Sequence, residues 1–177
     1  PHIEKIRFTN SGGEAAGVAV RLAKAYTNKT KIIKFKGQYH GATDSVLGYI
    51  EPGNLKENGI DAYLASQLIC VPFNDIEALT SVIKEHHNDI AGLMIELFSG
   101  NMGFIPANED FITTAKRLCE QYNIVFIADE VMTGFRVHAS GGSHLYHIKP
   151  DLTMLGKVIG GGFPVGAVGG KAAIMNL

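Results

Sequence analysis

The sequence predicts an α/β fold of three layers, with a mostly parallel sheet held between two layers of helix. Two observations carry that prediction. Short apolar runs such as IAGLMI and IVFIAD alternate along the chain with segments of helical period. The runs are apolar throughout rather than at every second residue, which is how strands covered on both faces read.

The elements follow in order. Ile6 to Thr9 reads as a strand, and a helix follows from about Glu14 to Tyr26, with Val18, Leu22 and Ala25 at helical spacing. A second strand is expected at Ile32 to Phe35. From Lys36 to Ser66 turn formers accumulate and periodicity is lost, which predicts a long loop with one short helix. Beyond it the pattern predicts a strand at Leu68 to Val71, a helix at Asp75 to His86 and a strand at Ile90 to Ile95. A helix at Glu109 to Tyr122 and a strand at Ile124 to Asp129 come next, and LTMLG and VGAVGG supply two more strands.

The chain has 177 residues, the size of one domain, able to bury roughly 70% of its unfolded surface. We take residues 1–177 as that domain. A hydrophobic fraction of 46% and a net charge of −1 offer no electrostatic reason for a nucleic acid or an anionic membrane as partner. Cys70 and Cys119 lack C-x-x-C spacing and sit among apolar residues, which suits buried thiols in a reducing compartment better than a disulfide framework or zinc site and points to the cytoplasm. No apolar run reaches the roughly 18 residues needed to span a bilayer, and PHIEKIRF lacks the regions of a signal peptide. His86 and His87 are adjacent and cannot share an ion at i, i+4 geometry, so no metal site is expected. Because the chain begins at Pro1 and stops at AAIMNL as another helix starts, the expectation is a piece of a longer protein.

In open α/β sheets ligands gather at the carboxyl ends of strands, where three polar constellations fall. In FTNSGGEAA a strand runs into Ser11, Gly12 and Gly13 and then into a helix opening with Glu14. Backbone N–H groups converging there would form a phosphate cup; the alternative is an ordinary N-cap. Asp129 closes a buried strand, where a carboxylate requires a cation or donors, and an ion pair with Arg136 is the structural alternative. Lys157, in LGKVIGGG, has apolar and glycine neighbours. Burial there would favour the neutral amine able to attack a carbonyl, whereas the alternative is a lysine that snorkels outward. Together these are the groups that pyridoxal 5′-phosphate requires: a cup for its phosphate, an acid for its ring nitrogen and a lysine for its aldehyde. A dinucleotide fold fits less well, since the glycines of GGGFPVG precede a strand rather than a helix and the first turn lacks G-x-G-x-x-G.

NSGGEA, YHGATDS, ELFSGNMGFIP, ADEVMTGFR and PDLTMLGKVIGGGFPVGAVGG resemble, in order and spacing, the class III aminotransferases of the fold-type I pyridoxal-phosphate enzymes. GNMG and DEVMTGFR are most similar to the aminomutase branch. The resemblance implies the large cofactor-binding domain, with Lys157 as the Schiff-base lysine and Asp129 as the partner of the pyridine nitrogen. Val131 would pack on one face of the ring and Tyr39 on the other, with His40 beside it. Ser11, Gly12 and Gly13 match the phosphate loop, and Asn101 a polar residue near the ring oxygen and the reacting amine. Implied too are a small amino acid or amino aldehyde substrate and, in a full-length form with an added N-terminal segment and small domain, a homodimer. The alternative activity is an intermolecular transamination between an ω- or β-amino acid and a 2-oxo acid. Three departures stand out: Gly13 replaces a threonine, Leu97 a proline, and DSVLGYIEPGNLKENGIDAYLASQ, from Asp44 to Gln67, does not reproduce the branch's mobile loop.

Overall fold

Side chains at successive strand positions leave the sheet on opposite faces, and here both faces are apolar. In the computed structural model, residues 2–47, 49–51, 54–56 and 59–177 are described. The chain runs β1 (Lys5–Thr9), α1 (Gly12–Thr27), β2 (Lys31–Phe35), α2 (Asp44–Leu47), β3 (Tyr49–Glu51), β4 (Asn54–Lys56), α3 (Ala62–Ser66) and β5 (Leu68–Val71). It continues through α4 (Ile76–His86), β6 (Ile90–Ile95), β7 (Phe98–Ser99), β8 (Ile105–Pro106), α5 (Glu109–Gln121) and β9 (Val125–Asp129). Last come α6 (Gly142–Leu145), β10 (Leu152–Leu155), a 3-10 turn at Lys157–Gly160, β11 (Gly166–Gly170) and α7 (Ala172–Met175).

Among the described residues one sheet has the order β1-β11-β10-β9-β6-β2-β5-β3-β4. From β10 to β3 its pairings are parallel. Ile33, Phe35, Leu93, Ile95 and Phe126 pack on one face against Leu79 and Ile83 of α4 and Phe111, Ala115 and Leu118 of α5. On the other face Ile32, Met94, Val125, Ile127 and Met154 meet the Ala15, Ala16, Ala19, Val20 and Ala23 stripe of α1. Those alanines let α1 lie close to the sheet, so the loop at its start reaches the strand ends. This is the predicted three-layer α/β architecture.

Two stretches differ from expectation. VGAVGG does form a strand, but β11 runs antiparallel to both β10 and β1. The connection from Gly156 to Val165 holds only a 3-10 turn, too short for the crossover that a parallel neighbour demands. The segment from Lys36 to Ser66 carries two helices and a strand pair rather than one helix, each too short to show a period. Gly48, Pro52, Gly53, Glu57 and Asn58 of that expected loop lie outside the described residues. No helix among the described residues is long and apolar enough to cross a membrane.

Candidate functional site

The carboxyl ends of β10, β9, β6 and β2 are neighbours in the sheet, and the residues just past them surround one cavity of about 450 Å³. That volume lies within the range of small-molecule sites. Ser11, Gly12, Gly13, Tyr39, His40, Asp129, Val131 and Lys157 all line it, as do Asn10, Glu96 and Met132. Asn101 is not part of the lining and is exposed on the 3-10 turn Gly100–Met102.

Ser11 caps α1: its Oγ accepts the Glu14 N–H at 3.1 Å, while Glu14 Oε2 accepts the Asn10 N–H at 2.9 Å. The N-cap alternative is therefore real, and it is compatible with a cup. Gly12 and Gly13 hold the first two helical positions, where N–H groups have no partner within the helix. Space is tight at two glycines. A Cβ on Gly12 would fall 2.9 Å from both Val131 methyl carbons. One on Gly41, whose φ is +114°, would meet Gly13 Cα at 2.7 Å. At Gly13 a Cβ would find only ordinary contacts, so the absence of threonine there is not a demand of packing.

Asp129 is 4% exposed, and its partner is not Arg136, which is exposed. Its Oδ1 accepts the Val131 N–H at 3.0 Å, and Oδ2 lies 2.7 Å from His40 Nδ1. β9 and β2 are separated only by β6, so the histidine that follows the β2 end reaches the acid at the β9 end. His40 is 3% exposed, and its Nε2 has no hydrogen-bond partner among the described residues. Each Asp129 oxygen retains a lone pair for a further donor from the cavity.

Lys157 is exposed toward this open cavity rather than buried, which corrects the argument from its apolar neighbours. The reason lies in the backbone. Lys157 has φ +47° at the start of the turn after β10, so the chain leaves the sheet before the side chain could enter the core. Its nitrogen is presented to the cavity by conformation, without burial.

Glu96 carries a second buried carboxylate, 5% exposed, which the sequence reading passed over. Oε1 accepts the Tyr39 N–H at 2.9 Å and Oε2 the Gly100 N–H at 3.1 Å, so the group ties two loops at the mouth of the cavity. An acid at the end of an apolar strand was the available signal, the same one that marked Asp129. Tyr39 itself is half exposed on the cavity wall.

The cradle fits pyridoxal 5′-phosphate: a glycine-lined helix start, an acid with lone pairs to spare and a solvent-facing lysine amine share one cavity. Comparison with known proteins agrees. A family model described as aminotransferase class-III matches residues 1–177. The chain is 48% identical over 181 residues to glutamate-1-semialdehyde 2,1-aminomutase of Legionella pneumophila, an alignment covering 99% of this chain and 42% of that protein. Among solved structures, an omega-transaminase from Sphaerobacter thermophilus superposes with a TM-score of 0.92 at 36% identity, over 99% of this chain and 42% of that one. A transaminase with PLP bound gives 0.89 at 34% identity, over 98% of this chain and 42% of its own. The chain thus spans about two fifths of the length of the relatives it matches.

Proposed function

Because the chain belongs to the class III aminotransferase family, we propose that residues 1–177 are the cofactor-binding domain of a pyridoxal 5′-phosphate enzyme that moves an amino group. The preferred reaction is that of glutamate-1-semialdehyde 2,1-aminomutase, in which the amine leaves and re-enters one substrate, since that enzyme is 48% identical to this chain. The observation that carries the reading is the convergence of Lys157, Asp129 and the Ser11–Gly13 loop on one cavity at the strand ends. When bound, pyridoxal 5′-phosphate supplies an aldehyde for the amine and a ring that withdraws electrons from the substrate carbon.

The chain's own residues do the rest. Gly12 and Gly13 N–H groups and Ser11 hold the phosphate at the positive end of α1. Asp129, anchored by Val131 N–H and His40, accepts the proton-bearing ring nitrogen. Val131 and Tyr39 form the two walls that confine the ring. Lys157 Nζ would hold the cofactor's aldehyde carbon and, once displaced by the substrate amine, would be the free amine that moves a proton at the substrate carbon. We place the full-length enzyme in the cytoplasm as a homodimer acting on a small amino acid or amino aldehyde; the cytoplasmic part is supported by Cys70 and Cys119 not being joined in a disulfide.

An intermolecular transaminase acting on an ω- or β-amino acid is the second reading, favoured by the superposition on the omega-transaminase at a TM-score of 0.92. Turnover of glutamate-1-semialdehyde without an added oxo acid separates the two; an absolute need for an acceptor selects the transaminase. The shared chemistry is tested by adding pyridoxal 5′-phosphate, reducing with borohydride and mapping the adduct by mass spectrometry. Labelling at Lys157 is expected. Labelling elsewhere, or nowhere, overturns both readings.

A further inference from the structure

Gln38 is 5% exposed, in the turn past the end of β2, and it lines no part of the cavity. Its amide makes a reciprocal pair with the backbone of Glu96, one residue past the end of β6. Gln38 Oε1 accepts the Glu96 N–H at 2.9 Å, and Nε2 donates to the Glu96 carbonyl at 2.8 Å. β2 and β6 are parallel neighbours with Ile33 opposite Leu93. The side-chain amide therefore supplies a rung of the ladder where the main chain has already left the sheet. Glu96 answers through its carboxylate, which holds Tyr39 N–H on one side and Gly100 N–H on the other.

The glycines of these two loops are closely packed as well, Gly37 against the second loop and Gly100 against the exit of β9. A Cβ on Gly37, with φ +85°, would lie 2.7 Å from Met102 Sδ, and one on Gly100 would collide with Met132 Sδ. Tyr39, His40 and Met132 all line the cavity, so whatever fixes the spacing of these loops fixes the cavity's width.

We propose that Gln38 is a positioning residue: acting through Glu96, it sets the separation of the Tyr39–His40 wall from the Met132 wall and thereby the affinity and ring environment of the cofactor. The proposal rests on the pyridoxal-phosphate reading above. Removing the amide leaves two buried backbone groups of Glu96 unpaired, and relaxation there moves the carboxylate that holds Tyr39.

The test uses the full chain loaded with pyridoxal 5′-phosphate and two variants, Gln38→Ala and the similarly sized Gln38→Met. Asn74→Ala is the control, because Asn74 makes a lock of the same kind outside the cavity, donating to the Pro106 carbonyl at 3.1 Å and accepting the Asn108 N–H at 2.9 Å. Both Gln38 variants are expected to weaken cofactor binding roughly tenfold and to change the circular dichroism band of the bound cofactor. Asn74→Ala is expected to do neither at a comparable loss of thermal midpoint. An unmoved affinity and band in the Gln38 variants, or the same changes in Asn74→Ala, overturns the proposal. Borohydride labelling of Lys157 in the parent is done first: without it the reading and the proposal fall together, and with it a null result at Gln38 removes the proposal alone.

Discussion

Lys157 holds a left-handed backbone, φ +47°, with a side chain that gains nothing from it locally. A non-glycine residue in that region costs about 1 kcal/mol or more and persists where the surroundings impose it. Here the surroundings are the end of β10 and the glycines that follow. Gly12 shows the opposite economy, having no side chain because Val131 fills the space. In Gly12→Ala the new methyl pushes Val131 into the cavity, a strain of about 1–3 kcal/mol that is expected to weaken cofactor binding on the order of tenfold. A fluorescence titration with pyridoxal 5′-phosphate measures it, and undiminished affinity would show that the cavity does not depend on this contact. At this scale the sequence was informative where chemistry restricts residue type. Ser11, Asp129 and Lys157 stand out because few residues can do what a phosphate, a ring nitrogen and an aldehyde need. Gln38 and Glu96 do not stand out, since their pairing joins positions 58 apart and only the fold brings them together. The same holds for His40 and Asp129, 89 apart.

The exit of β9 divides its acids between two tasks. Asp129 faces the cavity, whereas Glu130, 2% exposed, lies outside the cavity lining and accepts from Gly142 N–H at 2.5 Å, Ser143 N–H at 2.9 Å and Ser143 Oγ at 2.6 Å. Thr133 Oγ1 donates to it as well, at 3.2 Å. One carboxylate thus closes the start of α6 back onto the strand. Glu130→Ala leaves those donors buried without an acceptor and is expected to lower stability by about 3 kcal/mol. Urea unfolding gives the magnitude, and amide exchange should accelerate first at Gly142 and Ser143. Uniform exchange across the chain would argue that Glu130 supports the whole fold rather than this loop. The bounds of β5, α4, β6, α5 and β9 were legible to within a residue, because those runs are apolar and end at turn formers, whereas the two-residue strands β7 and β8 were not. The reversed direction of β11 was not legible, since strand direction follows from the length and path of the connection rather than from the strand's own residues.

Across the molecule several groups respond to alkali in opposing senses. Burial, reinforced by the nearby charge of Asp151, pushes the Cys119 thiol far above its ordinary value of 9.0. The hydrogen bond from Lys171 to Asp151 raises that ammonium, and burial raises Tyr146. For each, the unfolded chain loses its proton at lower pH than the folded chain, so stability is complete below the unfolded value and declines as pH rises past it. Lys24, Lys29 and Lys34 are lowered by burial and act the other way. Cys119→Ala isolates one contribution: above pH 9.0 its unfolding free energy should fall less steeply than the parent's, by up to about 1.4 kcal/mol per pH unit. Urea titrations at several alkaline pH values check it, and parallel slopes in the two proteins would remove Cys119 from the account. One pairing also governs how the protein is made. Among the described residues, the strand that leads into the Ser11–Gly13 loop is paired only with β11, Phe8 opposite Ala167 and Thr9 opposite Gly166. On a ribosome residues 11–13 emerge before the Lys157 segment, yet the strand beneath them finds its place only when residues 166–170 have been translated. In the proposed enzyme, cofactor capture is thereby deferred until the Lys157 segment is already outside, and a nascent chain stalled midway presents α1 without the strand that anchors its first turn.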